Sequence, residues 1–186
     1  MKIKEVVKIS ATLLGRTDVT ANLDSGETVE GSETLSTVNT LVELTNLVLT
    51  ELSGSYIPLR KTEKKNAYSG KMYYKDFSEN LTRVVSVIDV NGNSIEYGYH
   101  PEYIIVPQGT YTVEYEYSPT NLGLDDETGY GGSEITAGVL AYGVASEFCI
   151  TEGSFDRAVM WHKRYADGVA LACTPKSRNT SQRRWI

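Results

Sequence analysis

The side chains able to do chemistry are few and widely spaced. The chain has two histidines, His100 and His162, and two cysteines, Cys149 and Cys173. A serine nucleophile needs a histidine, an acid and an elbow such as Gly-x-Ser-x-Gly, and no such run occurs. His100 precedes Pro101 in a turn, while His162 falls on the apolar stripe of a helix, the place of a core or interface histidine. The pair Gly70-Lys71 is followed by Met72, and Lys65 stands where the leading glycine of a phosphate loop belongs. Gly129-Tyr130-Gly131-Gly132 lacks the spacing of a dinucleotide fingerprint and reads as linker. Asp125-Asp126-Glu127 lacks the alternating acids of a calcium loop and reads as a solvated acidic turn. Cys149 and Cys173 read as small buried apolar residues, too few for a disulfide framework. The expectation is a chain that is not an enzyme, with no catalytic residues, no metal site and no cofactor.

Charge is more informative than reactivity. The 186 residues carry a net charge of −6, yet 174–186 (TPKSRNTSQRRWI) hold Lys176, Arg178, Arg183 and Arg184 with no acid. Taking these four positive charges from the net −6 leaves −10 on the rest. An acidic body does not grip a DNA duplex, because phosphate binding depends on clustered Lys and Arg. The basic segment, with Trp185-Ile186, reads as an extended docking arm for an acidic partner rather than as a solubilising terminus, since Trp-Ile is costly to leave in water. The sequence has no run of the eighteen or so apolar residues that a membrane span requires, and no apolar signal block near Met1, so synthesis in the cytoplasm is expected.

These segments need elements to hold them. Ten of the 13 tyrosines lie between Tyr56 and Tyr117, and seven of the ten alanines between Ala137 and Ala172. Tyrosine suits pleated surfaces and alanine suits helices, so the order predicted is helix, helix, strands, helix, helix. Residues 3–14 set Ile3, Val6, Val7, Ala11 and Leu14 on one face before Gly15. Residues 17–34, with five acids and no base, read as an exposed acidic loop. Residues 35–52 have helical spacing, with Val38, Val42, Leu49 and Leu52 on one stripe, although their threonines and valines leave a strand open. Ser53-Gly54 is the expected stop.

Arg83–Val90 followed by Asn91-Gly92 predicts a hairpin whose return strand carries Ile95, Tyr97 and Tyr99. A second pair is expected from Tyr103–Val106, a turn at 107–109, and Tyr111, Val113, Tyr115 and Tyr117 alternating with acids. Tyr56–Leu59 and Met72–Phe77 add strands, with the charged run 60–65 as a solvated loop between them. Tyr97, Tyr99, Tyr111, Tyr115 and Tyr117 form either a contact face, for sugars or proteins, or the core side of the sheet. After a linker, 134–150 and 155–172 predict a helical hairpin with Ser154 as N-cap and Phe155, Val159, His162, Ala166, Val169 and Cys173 aligned on the second helix.

The fold expected is α+β: a helical bundle of two N-terminal helices and a C-terminal hairpin, an inserted antiparallel β region, and an extended tail. The boundaries expected are 1–55 and 134–173 for the helical body, 56–120 for the β insertion, 121–133 for the linker and 174–186 for the arm.

The combination of a short N-terminal helix, the strand Ile105-Val106-Pro107-Gln108-Gly109-Thr110-Tyr111-Thr112-Val113-Glu114-Tyr115 and the hairpin EITAGVLAYGVASEFCITEGSFDRAVMWHKRYADGV resembles the head-to-tail adaptor proteins of tailed bacteriophages. The hairpin is the best match, through Ala141-Tyr142, Phe148, Glu152-Gly153-Ser154-Phe155, Arg157-Ala158 and Trp161 with Tyr165. The Thr-rich second helix and the acidic 17–34 segment depart from that family's pattern. The resemblance implies a structural virion protein at the portal vertex, forming a homo-oligomeric ring, typically of twelve subunits. It implies a DNA channel without sequence-specific binding, the portal protein as partner, and a tail or nozzle protein below. Carried onto this sequence, it makes Lys176, Arg178, Arg183, Arg184, Trp185 and Ile186 the portal-binding arm. A tyrosine-rich carbohydrate- or receptor-binding module is the other reading.

Overall fold

The computed structural model describes residues 1–25, 33–131 and 135–174. The α+β expectation is met, among the described residues, by five α-helices and two small antiparallel sheets. Helix α1 (Ile3–Leu14) buries Ile3, Val6, Val7 and Ala11 and stops at Gly15, whose φ of 79° suits a residue without Cβ.

The expected loop at 17–34 is corrected: Thr17–Ser25 is helix α2, residues 26–32 lie outside the described residues, and Glu33 and Thr34 open the next helix. Val19 and Leu23, four residues apart, give α2 a buried face that the count of acids concealed. Its acids are partnered, with Lys8 on Asp24 at 2.6 Å and Arg16 on Asp18 at 3.0 Å.

Helix α3 (Glu33–Ser55) runs past the expected stop. Its threonines are accommodated because Thr37, Thr45 and Thr50 each donate a hydroxyl to the carbonyl four residues back. Ser53 is buried and its hydroxyl meets that of Ser118 at 2.9 Å, so the helix ends only as Pro58 approaches.

The charged run 60–65 is also corrected, because it belongs to strand β1 (Leu59–Ala67). Tyr56 and Ile57 are the exit of α3 rather than strand, their amides bonded back to Leu52. Alternation decides the matter: Leu59, Lys61, Glu63 and Lys65 are half-buried on one side, and Arg60, Thr62 and Lys64 exposed on the other. β2 (Lys71–Tyr73) is shorter than the predicted 72–77 and passes into a 3₁₀ turn at Tyr74–Asp76.

β3 (Leu81–Asp89) leads into the Asn91-Gly92 turn, where the Asp89 carboxylate accepts the amides of Asn91 and Asn93 at 2.8 Å. The predicted return strand reduces to a bridge at Ser94 and the two residues of β4 (Gly98–Tyr99). β5 is Tyr103–Ile105 and β6 is Gly109–Tyr117. The strand orders are β1-β6-β3 and β2-β5-β4, so the predicted pairing of β5 with β6 does not form, and the first hairpin persists only beside its turn, at the Ile88–Ser94 bridge and the Ile95 amide on the Val87 carbonyl. β6 lies instead between β1 and β3, whose cations meet its acids: Glu116 is buried against Arg60 (3.2 Å) and Arg83 (2.9 Å).

The segment after β6 is tied down between Leu122 and Tyr130. Leu124 and Asp126 carbonyls accept the Lys4 and Ile3 amides, Asn46 bonds Leu122 in both directions, and buried Tyr130 donates to the Ile57 carbonyl. Helix α4 (Ala137–Thr151) is capped by Thr136, and α5 (Phe155–Cys173) follows; Ser154 precedes α5 without making the side-chain cap expected of it. One hydrophobic core joins all five helices, and a second lies within the β region around Val87, Ile104, Val113 and Tyr115.

Candidate functional site

The predicted portal-binding residues Lys176, Arg178, Arg183, Arg184, Trp185 and Ile186 lie outside the described residues. The five predicted tyrosines do not share one surface. Tyr111 and Tyr115 are buried, on the core side, and Tyr117 is half-buried beside them. Tyr97 donates to the Val84 carbonyl at 3.0 Å and contacts the Tyr99 hydroxyl; burial, then that contact, pushes its phenol up to about 12. Only Tyr99 of the five is exposed.

A different aromatic group surrounds the β2-β5-β4 sheet. Tyr68 and Tyr73 are exposed there, Lys71 lies 4.6 Å over the Tyr103 ring, and His100 stacks on that ring at 4.0 Å. Lysines interleaved with tyrosines between 68 and 75 were the available sign. Among the described residues no cluster of three metal-ligating side chains occurs. Asp126 accepts the Gly123 amide, so it serves its own turn.

The most distinctive surface is on α5. Of the expected stripe only Val169 faces the core, where Ala158, Trp161 and Tyr165 join it. Trp161 stacks on Tyr142 at 5.7 Å, and the Arg164 guanidinium covers both rings. α4 and α5 then close together where small residues permit, with Gly168 against Val139 and Gly143 against Tyr165. This rotation leaves Phe155 66% and Val159 71% exposed, with His162, Ala166 and Cys173 also in solvent. Cys173 is therefore corrected from interior to surface, and of the two places open to His162 the core is excluded, whereas Cys149 is buried as expected.

Two hollows adjoin along this face and meet at His162. One, of about 230 Å³, lies between Ile150 of α4 and Phe155, Val159 and His162. The other, of about 270 Å³, is walled by Tyr56 from the exit of α3 and by His162, Ala166, Val169 and Cys173. Tyr165, only 3% exposed, lines the second hollow, and its hydroxyl has no hydrogen-bond partner among the described residues. Burial, with Glu51 next, drives that phenol's pKa upward. Complete burial of Phe155 or Val159 against another surface would be worth roughly 1.5–3 kcal/mol each. The sequence did signal this bare face, since α5 carries two overlapping apolar stripes and one core satisfies only one of them.

No family model matches the chain, and no curated protein matches it.

Proposed function

We propose that this chain is a head-to-tail adaptor subunit of a tailed bacteriophage: a structural virion protein of the neck that joins a ring on the portal. In this reading α1, α3, α4 and α5 are the bundle, 59–117 is the inserted β region turned toward the tail or nozzle protein, and 174–186 is the arm that docks on the portal. DNA passes through the ring, typically of twelve subunits, without being gripped by the acidic body.

The observation that carries the reading is the α4–α5 hairpin, the segment on which the resemblance rests. It is a close-packed antiparallel pair set on α1 and α3, with a bare apolar face that suits a subunit built to be buried among others. The test is co-assembly with purified portal rings, followed by electron microscopy. Removal of residues 174–186 is expected to abolish added density beneath the portal while leaving the circular dichroism spectrum unchanged. Undiminished co-assembly overturns the docking role of the arm. Exposed Tyr68, Tyr73 and Tyr99 favour the alternative of a carbohydrate- or receptor-binding module, and specific hits on a glycan array together with indifference to portals would establish it.

A further inference from the structure

The turn that ends β3 carries a chemistry that the fold does not use. The chain has nine asparagines, and only Asn91 is followed by glycine. A following glycine has no Cβ to shield its backbone nitrogen, so that nitrogen can reach the asparagine side chain. Asn91 and Gly92 are both exposed, and Val90 beside them is 78% exposed. The Gly92 amide donates to the Asp89 carbonyl at 3.1 Å, Gly92 takes a φ of 87°, and Asn91 keeps a negative φ. The loop Val90-Asn91-Gly92 is therefore a type I turn closed by a left-handed glycine.

Asp89 ties this loop from both sides. Its amide donates to the Asn93 carbonyl at 2.9 Å, and its carboxylate accepts the Asn91 and Asn93 amides at 2.8 Å and Asn93 Nδ2 at 3.0 Å. Those bonds, the Asn93 side chain's first, hold the Asp89 carboxyl below its ordinary range, so it accepts as a carboxylate at neutral pH.

We propose that Asn91 is a self-modification site and that Asp89 is the positioning residue that restrains it. In the reaction the Gly92 nitrogen gives up its proton and attacks Asn91 Cγ. A bond forms between that nitrogen and Cγ, the Cγ–Nδ2 bond breaks, and ammonia leaves with the proton, which closes a cyclic imide. Water then adds to either imide carbonyl and opens the ring, leaving aspartate or isoaspartate at position 91. In the closed loop the Gly92 N–H is engaged by the Asp89 carbonyl, so the nitrogen must leave that bond before it can face Cγ. The rate is therefore set by how often the loop opens. The product hinders reclosure, because a new carboxylate stands beside that of Asp89 and the isoaspartate form lengthens the backbone before the Ile88–Ser94 bridge. The site is independent of whether the chain enters a ring.

Peptide mapping by mass spectrometry of the full chain, aged at mildly alkaline pH, tests this, with isoaspartate read separately by enzymatic methylation. Conversion is expected at Asn91 ahead of the other asparagines, and about tenfold or more faster in urea than in the folded chain. Asp89→Ala, checked for folding by circular dichroism, should speed the folded reaction about tenfold, the equivalent of one charge-assisted hydrogen bond. Asp89→Asn, which keeps an oxygen to accept the two amides, should fall between them. In urea all three chains should react alike, which separates restraint by the fold from an effect of the neighbouring sequence. An Asn91 that converts no faster than the other asparagines overturns the site. A folded Asp89→Ala or Asp89→Asn chain that reacts at the native rate or more slowly overturns the role of Asp89.

Discussion

Glu63 lies on the inward side of β1 among groups that favour its charge. Burial pushes its carboxyl up, but the Lys65 ammonium at 2.8 Å and the hydroxyls of Ser78 and Tyr115 outweigh that and hold it at about 2, from an ordinary 4.5. A carboxyl whose pKa is lower folded than unfolded stabilises the fold above about pH 4.5, and that contribution is lost as pH falls toward 2. The size is on the order of 1–3 kcal/mol. Urea unfolding at a series of pH values should therefore show a steeper acid loss in the native chain than in Glu63→Gln, with the variant less stable at neutral pH. Asp18, held at about 2 first by its hydrogen bond to Arg16, supplies residual slope in both, damped by its 42% side-chain exposure. Parallel acid profiles would refute the role given to Glu63. None of this network was readable from residues 60–65 alone. Their charges resemble a loop until Tyr115 and the acids of β6 stand beside them, and that pairing joins residues about fifty apart in the chain.

At the scale of elements, the α4–α5 contact depends on missing side chains. A Cβ on Gly168 would lie 2.8 Å from Val139 Cγ2 and 3.0 Å from Cγ1, closer than packed carbons allow. Gly168→Ala gains up to about 1 kcal/mol of helix propensity but overpacks the interface at about 1–3 kcal/mol. The expected result is a net loss in urea unfolding, recovered in part when Val139→Ala is added; additive losses in the double variant would argue against a local clash. Helices were the readable part of this fold, since periodicity and the Gly15 stop are local signals. The orientation of α5 was not. Two stripes compete on it, and Gly143 and Ala145 of α4, which admit Tyr165 and Trp161, decide which one turns inward. The strand partners were hidden for the same kind of reason: the Asn91-Gly92 turn fixes its own geometry, but β6 finds better charge and apolar complements in β1 and β3 than in its sequence neighbour β5.

Among the described residues, helices pack principally on helices and strands on strands, giving a helical core and a separate core in the β region. Between them lie the Ser53–Ser118 hydroxyl pair at 2.9 Å and Leu59, which opens β1 yet packs against the helical core. α3 also runs into β1 through only three residues, 56–58. Such a division allows the β region to open without the helices, because opening it exposes its own core and little of the other. Val113 and Val144 are each fully buried, one in each core, so truncating either leaves a cavity worth about 1–3 kcal/mol. Native-state hydrogen exchange should show Val113→Ala speeding the amides of β1, β3 and β6 about tenfold or more while those of α1 and α4 change less. Val144→Ala should invert the pattern, with the helical amides the more affected. Equal acceleration of every protected amide in both variants would mean that the two cores unfold as one unit, coupled through contacts such as the Ser53–Ser118 pair and Leu59.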